Sequence, residues 1–255
     1  MTGADPRALV TALSDWARGT DWVDWVEIGG SLGRGAGDEL SDVDAGIGVH
    51  ALADHPDRID EARDAIAEFA PVAATLTQPM GDATHLVCVY EDGRQLSLVV
   101  FDEDVRTGLP PQAVATVDKS GRLSRELGQT RWDADEATVR EWTFLAWIAV
   151  GDAARHSLRD HPWRALKALT DARDHLWQLW AHAHDLPFPM FGAVTVENAA
   201  VDLPPGIEAT HPNDLSPKAI HTALTALSRL LCPYTEGELT NLAATVQRRL
   251  DLLDR

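Results

Sequence analysis

Hydrophobic and polar positions change their period near the middle of the chain. From Trp22 to Phe101 apolar residues come in short, alternating or β-branched runs, and from Asp133 onward they recur every three or four residues. Ahead of the first run, Asp5-Pro6 sets a capping acid before a proline suited to the first helical position, and predicts a helix to about Arg18. Trp22–Ile28 and Asp42–Val49 are expected as strands, Asp57–Phe69 as a helix with Ile59, Ala62, Ile66 and Phe69 on one face. Val72–Thr77, Thr84–Tyr90 and Gln95–Phe101 follow as strands, the last two joined at Asp92-Gly93, a strong hairpin signal. Val105–Thr130, with Gly108, Pro110, Pro111 and Gly121, is expected to be a loop-rich connection.

Beyond it the pattern is helical. Asp133-x-x-Glu136 has the form of a capping box opening a helix to about Leu158. Pro162 starts another to about His184, with Leu166, Leu169, Leu176 and Trp180 as its apolar stripe. The Pro- and Gly-rich passage Leu186–Asn213 is expected as a substrate-facing loop or a mere connector; Ser216-Pro217 opens a helix to Leu231, and Thr235-x-x-Glu238 caps the last. The expectation is an α+β chain: residues 1–130 a mixed β-sheet flanked by helices, residues 131–255 an all-α helical bundle.

Charge narrows the partners. Forty acidic against 22 basic residues leave 255 residues with a net charge of −18. Such a surface keeps a protein soluble, repels duplex nucleic acid and attracts cationic small molecules. Cys88 and Cys232, each beside apolar residues, are expected to be buried thiols, with neither zinc spacing nor a disulfide framework. Met1–Pro6 has no signal-peptide character, and the apolar run at Phe144–Val150 is too short to span a bilayer, so no membrane partner is expected and a cytoplasmic setting fits.

The candidate chemistry lies between the first two strands. Ile28-Gly29-Gly30-Ser31 ends one, and Ser41-Asp42-Val43-Asp44-Ala45 begins the next. Glycines without Cβ let backbone N–H groups approach a phosphate; Ser31 adds a hydroxyl, and Arg34 a planar fork. Strand side chains alternate, so Asp42 and Asp44 face one way, their Cα atoms ~6.6 Å apart at a rise of ~3.3 Å per residue. Two carboxylates so placed suit Mg²⁺, which keeps waters and binds one or two carboxylates together with phosphates.

These residues resemble the signature of the DNA polymerase β-like nucleotidyltransferase superfamily: hydrophobic-Gly-(Gly/Ser), a spacer, then Asp-hydrophobic-(Asp/Glu)-hydrophobic. The helical remainder looks like the C-terminal domain of aminoglycoside and lincosamide nucleotidyltransferases. The resemblance implies Mg²⁺, two ions, at Asp42 and Asp44; a nucleoside triphosphate such as ATP over Gly29, Gly30, Ser31 and Arg34; and a small acceptor hydroxyl, of aminoglycoside type if cationic. It also implies a third carboxylate on the Gly93–Asp102 strand. Gln95 stands at that position, or Ser97 two residues on, and neither is an acid. Three alternatives stay open: a base from elsewhere, with Asp102, Glu103, Asp104 or Glu141 as candidates; catalysis without one; or binding without turnover. A toxin-like transferase acting on tRNA or protein is a further reading, with the net charge against tRNA.

Arg173 falls within the apolar stripe of its helix, so it either pairs or snorkels structurally or meets the triphosphate from an interdomain cleft; Lys167 is a lesser phosphate candidate on the same helix. Trp177 and Trp180 sit with Leu176 at helical spacing, so core packing is expected of them, and His182-x-His184 points to different faces. Arg155 and His161 loosely resemble the Arg–His pair of helical ribonucleases, which chance explains better in a segment so rich in both.

Overall fold

The computed structural model describes residues 5–128 and 131–253. Residues 1–4, on which the reading of the leader depends, and Gln129-Thr130 at the end of the expected loop lie outside them. The chain divides into two compact units, Met1–Thr130 and Arg131–Arg255.

In the first unit, α1 (Arg7–Gly19) precedes β1 (Val23–Ile28), the short α2 (Gly30–Gly33) and β2 (Val43–Val49). Then come α3 (Asp57–Ala67), β3 (Val72–Met80), β4 (Ala83–Tyr90), β5 (Gln95–Asp102) and β6 (Val114–Asp118). The strands form one six-stranded sheet in the order β3-β4-β5-β2-β1-β6. Only β2 and β5 run parallel. Alternation then decides the faces. Val43, Ala45, Ile47 and Val49 of β2, Leu96, Leu98 and Val100 of β5, and Leu86, Cys88 and Tyr90 of β4 pack with Leu9, Leu13 and Ala17 of α1 and Ala62 and Ile66 of α3. Those helical positions are spaced by four, which puts them on one side. Asp44, Ser97 and His85 therefore belong to the opposite face of the sheet.

β6 corrects the expected Val105–Thr130 loop. It is a short edge strand after Pro110-Pro111, and it adds to β1 through Trp25↔Asp118 and Val26↔Val117. Its first residue Val114 is exposed, as is Lys119 just past its end, and no alternating apolar face is visible in its sequence.

The second unit comprises α4 (Glu136–Leu158), α5 (Pro162–Ala183), α6 (Ala193–Ala199), α7 (Pro217–Leu231) and α8 (Leu239–Leu250). Trp147, Val150, Leu169, Leu176, Leu224, Leu227, Val246 and Leu250 share its core. Pro162 opens α5 where its missing N–H costs nothing, and Ser216 caps α7 by accepting from Ala219 N. The expected box at Asp133 is displaced: Asp135 is the cap, accepting from Thr138 N at 2.8 Å. Thr235 does not cap α8 but joins Trp147 to Leu231, accepting from the indole at 2.9 Å and donating to the carbonyl at 2.9 Å. Cys88 is buried as expected, whereas Cys232 is exposed because it begins a 3-10 turn just past the core-facing end of α7. Among the described residues no helix is long and apolar enough to cross a membrane.

Candidate active site

The loop from β1 to β2 is fastened at both ends. Gly29 N donates to Asp44 O at 2.8 Å, and Gly33 N and Arg34 N close back on Gly29 O and Gly30 O. Further along, Asp38 N donates to Ser41 Oγ at 3.0 Å and Leu40 N to Asp38 Oδ1 at 2.9 Å, so the chain is held up to the residue before Asp42. Gly30 has φ +59° and lies against Asp44: a Cβ there would fall 2.0 Å from Oδ2. Only glycine combines that backbone conformation with that approach.

Asp42 and Asp44 are both exposed on the open side of the sheet. Although the residue as a whole is exposed, partial desolvation of the Asp44 carboxyl raises its pKa above the ordinary carboxylate value, and the charge of Asp42 raises it further; Arg34 and His85 act in the opposite sense. The two acids thus repel each other next to a backbone cradle, a situation a divalent cation would relieve. Their donor chemistry fits Mg²⁺.

A cavity of about 290 Å³ opens beside them, lined by Gly29, Gly30, Arg34, Asp44, Val99 and Phe101 with Glu27, Arg106 and the segment 110–113. Ser31 is half-buried on the same turn and is not among the lining residues. The deeper wall is an ion pair that the sequence did not disclose. Arg106 Nε donates to both Glu27 oxygens at 3.0 Å, and Nη2 donates to Oε1 at 2.5 Å. Its guanidinium lies 4.9 Å from the Phe101 ring centre and 5.9 Å from that of Trp25. Glu27, like Asp24, is an acid within a strand otherwise made of Val, Trp and Ile, and that was the available signal.

Parallel register decides what neighbours the acids on β5. Asp44 stands beside Ser97, Val43 beside Leu96. Gln95 lies beyond, its Nε2 3.5 Å from Asp42 Oδ2. Ser97 Oγ is 2.8 Å from His85 Nε2. His85 is directly opposite Val99, so it reaches Ser97 on the diagonal between antiparallel strands.

The other base candidates are placed elsewhere. Asp102, Glu103 and Asp104 lie at the far end of β5, beside the last residue of β2 rather than its first. Asp102 accepts from Leu52 N at 3.1 Å and Asp104 N at 3.2 Å, Glu103 pairs with His50, and Asp104 pairs with Arg122 at 3.0 Å. Glu141 belongs to the second unit, exposed on α4. At that far end Asp24, His50 and Glu103 bring ligand atoms within 4.8 Å of one another. Asp24 there already accepts from Ser120 N and Oγ and faces Arg122 at 3.5 Å, which supplies its positive partner.

Arg173 and Lys167 also belong to the second unit. Arg173 is 8% exposed. It donates to Thr210 O at 3.0 Å and more weakly to Thr170 Oγ1 at 3.4 Å, which fastens the 207–210 turn to α5. Lys167 pairs with Asp171 one turn along the same helix. Each already has a structural partner.

No protein-family model matches the chain, and no curated protein matches it. Twelve chains of known structure do. An aminoglycoside 6-adenyltransferase from Bacillus subtilis is 10% identical with a TM-score of 0.41, over 98% of this chain and 99% of that one. A nucleotidyltransferase-like protein from Exiguobacterium sibiricum 255-15 is 13% identical with a TM-score of 0.37, over 89% of this chain and 74% of that one.

Proposed function

We propose that the first unit transfers a nucleoside monophosphate from a nucleoside triphosphate, ATP in the first instance, to a hydroxyl group of a small molecule, releasing pyrophosphate. The observation that carries this reading is the packing of Gly30 against Asp44 at the mouth of a cavity that Arg34 also lines. Asp42 and Asp44 would hold Mg²⁺, which when bound neutralises phosphate charge and polarises the reacting oxygens. The chain's own residues supply the rest. Gly29 and Gly30 let the backbone approach the phosphates, and Arg34 presents a fork to their oxygens. Catalysis of this type is mainly positioning and charge stabilisation, so a fixed loop matters more than a reactive side chain. The net charge of −18 favours a cationic acceptor, an aminoglycoside among them, over a nucleic acid.

The test is to incubate the protein with Mg²⁺, ATP and a panel of hydroxylated small molecules, cationic and neutral, and to follow the acceptors by mass. Product from the native protein and none from Asp42→Asn or Asp44→Asn supports transfer. ATP binding without product or pyrophosphate on any acceptor would mean a nucleotide-binding module instead, the reading that the missing third acid favours.

A further inference from the structure

Beside Asp44, where the family resemblance expects a carboxylate, the sheet presents Ser97 with His85 behind it. We infer that this pair takes the place of the missing acid: Ser97 meets the acceptor hydroxyl, and His85 receives the proton through it. The inference rests on the transfer reading above.

The geometry is specific. Ser97 shares a face and a register position with Asp44, which lines the cavity. Its Oγ lies 2.8 Å from His85 Nε2, within range for one proton to pass between them. A serine hydroxyl alone is a poor base, but an imidazole within hydrogen-bond reach changes that. Both residues are half-buried on the open face, not in the packed layer beneath it. Gln95 cannot serve, because an amide takes up no proton at neutral pH; it stays near Asp42 as a hydrogen-bond partner. Asp44 on the adjacent strand is close enough to His85 for the imidazole to favour its ionised form.

The step balances. The acceptor O–H proton passes to Ser97 Oγ while the Ser97 proton passes to His85 Nε2. The freed oxygen pair forms the bond to the α-phosphorus. The bond from that phosphorus to the bridging oxygen breaks, its electrons leaving with pyrophosphate, and the imidazolium later gives its proton to water.

The test compares the native protein, His85→Gln, Ser97→Ala, and His85→Gln combined with Ser97→Asp. It measures kcat and KM for transfer, the Kd of ATP with Mg²⁺ by calorimetry, and the melting temperature. His85→Gln is expected to lower kcat by about 100-fold or more, the usual worth of a positioned base. Its acceptor KM, nucleotide Kd and melting temperature should stay close to native. A carboxylate at position 97 should restore at least ~10-fold of the loss in the double variant, within that same range for a base. An unchanged kcat in His85→Gln, a parallel loss of nucleotide binding or folding, or no restoration by Ser97→Asp overturns the inference while leaving transfer intact. No product from the native protein on any acceptor overturns both.

Discussion

Gly30 presses on Asp44 so closely that a single methyl group on the glycine would sit 2.0 Å from the carboxylate Oδ2. The backbone is also in the left-handed region there, at φ +59°. Gly30→Ala must therefore move the loop or the acid. It should cost on the order of 1–3 kcal/mol of stability, the range for a non-glycine residue forced into such a conformation. It should also weaken Mg²⁺-dependent ATP binding by about 10-fold or more, equivalent to ~1.4 kcal/mol. Urea unfolding and calorimetry measure the two effects.

Asp44 holds its proton more tightly in the folded protein than an ordinary carboxylate does. Its pKa in the folded protein is raised from 3.8, by burial first and then by Asp42. A raised pKa means the folded state holds the proton more tightly than the unfolded state. The resulting stability is fully present below the unfolded value and is lost as pH rises through the folded one. Asp44→Asn should accordingly melt higher than the native protein at pH 7, and the difference should shrink as pH falls through the raised folded value and be gone below about 4, where both states are protonated. Mg²⁺ should raise the melting temperature of the native protein and leave the variant unmoved. Melting curves across pH, with and without Mg²⁺, check both.

The Glu27–Arg106 pair sets the cavity wall. Glu27 is 6% exposed, so removing its partner leaves a buried charge unpaired. Arg106→Met should cost on the order of 3 kcal/mol. Adding Glu27→Gln to Arg106→Met should recover part of that loss, since the double variant buries no charge. Chemical denaturation of the three proteins measures the loss and its partial recovery.

Arg173 should behave as a structural residue of the helical unit. Arg173→Met removes donors to Thr210 O and Thr170 Oγ1, and should cost about 1.5–3 kcal/mol, the worth of hydrogen bonds from a charged group. Its Kd for ATP with Mg²⁺ should equal that of the native protein. A large rise in Kd would return Arg173 to the nucleotide site.

Local signals carried far along this chain, and they stopped where register begins. Gly29-Gly30 and the alternation around Val43 were enough to place β1, the loop and β2, because strand ends and side-chain faces are set by neighbouring residues. The α5 start at Pro162 and the α7 cap at Ser216 were legible for the same reason. β6 was not, since a short edge strand has no alternating pattern to show. The relation of Ser97 to Asp44 depends on how β5 slides along β2, and that of His85 to Ser97 on the pairing of β4 with β5. Neither offset is written in any one strand. The Glu27–Arg106 pair joins residues 79 apart in sequence, so only the folded sheet could match the two charges.

The central claim is that Asp42 and Asp44 jointly hold a divalent cation and a triphosphate beside Gly30. Calorimetric titration of ATP into the native protein and Asp44→Asn, each with Mg²⁺ and with a chelator, tests it most directly. The account predicts saturable binding by the native protein only when Mg²⁺ is present, and its loss in Asp44→Asn under the same conditions. Equal binding by both proteins, or native binding indifferent to the chelator, would contradict it.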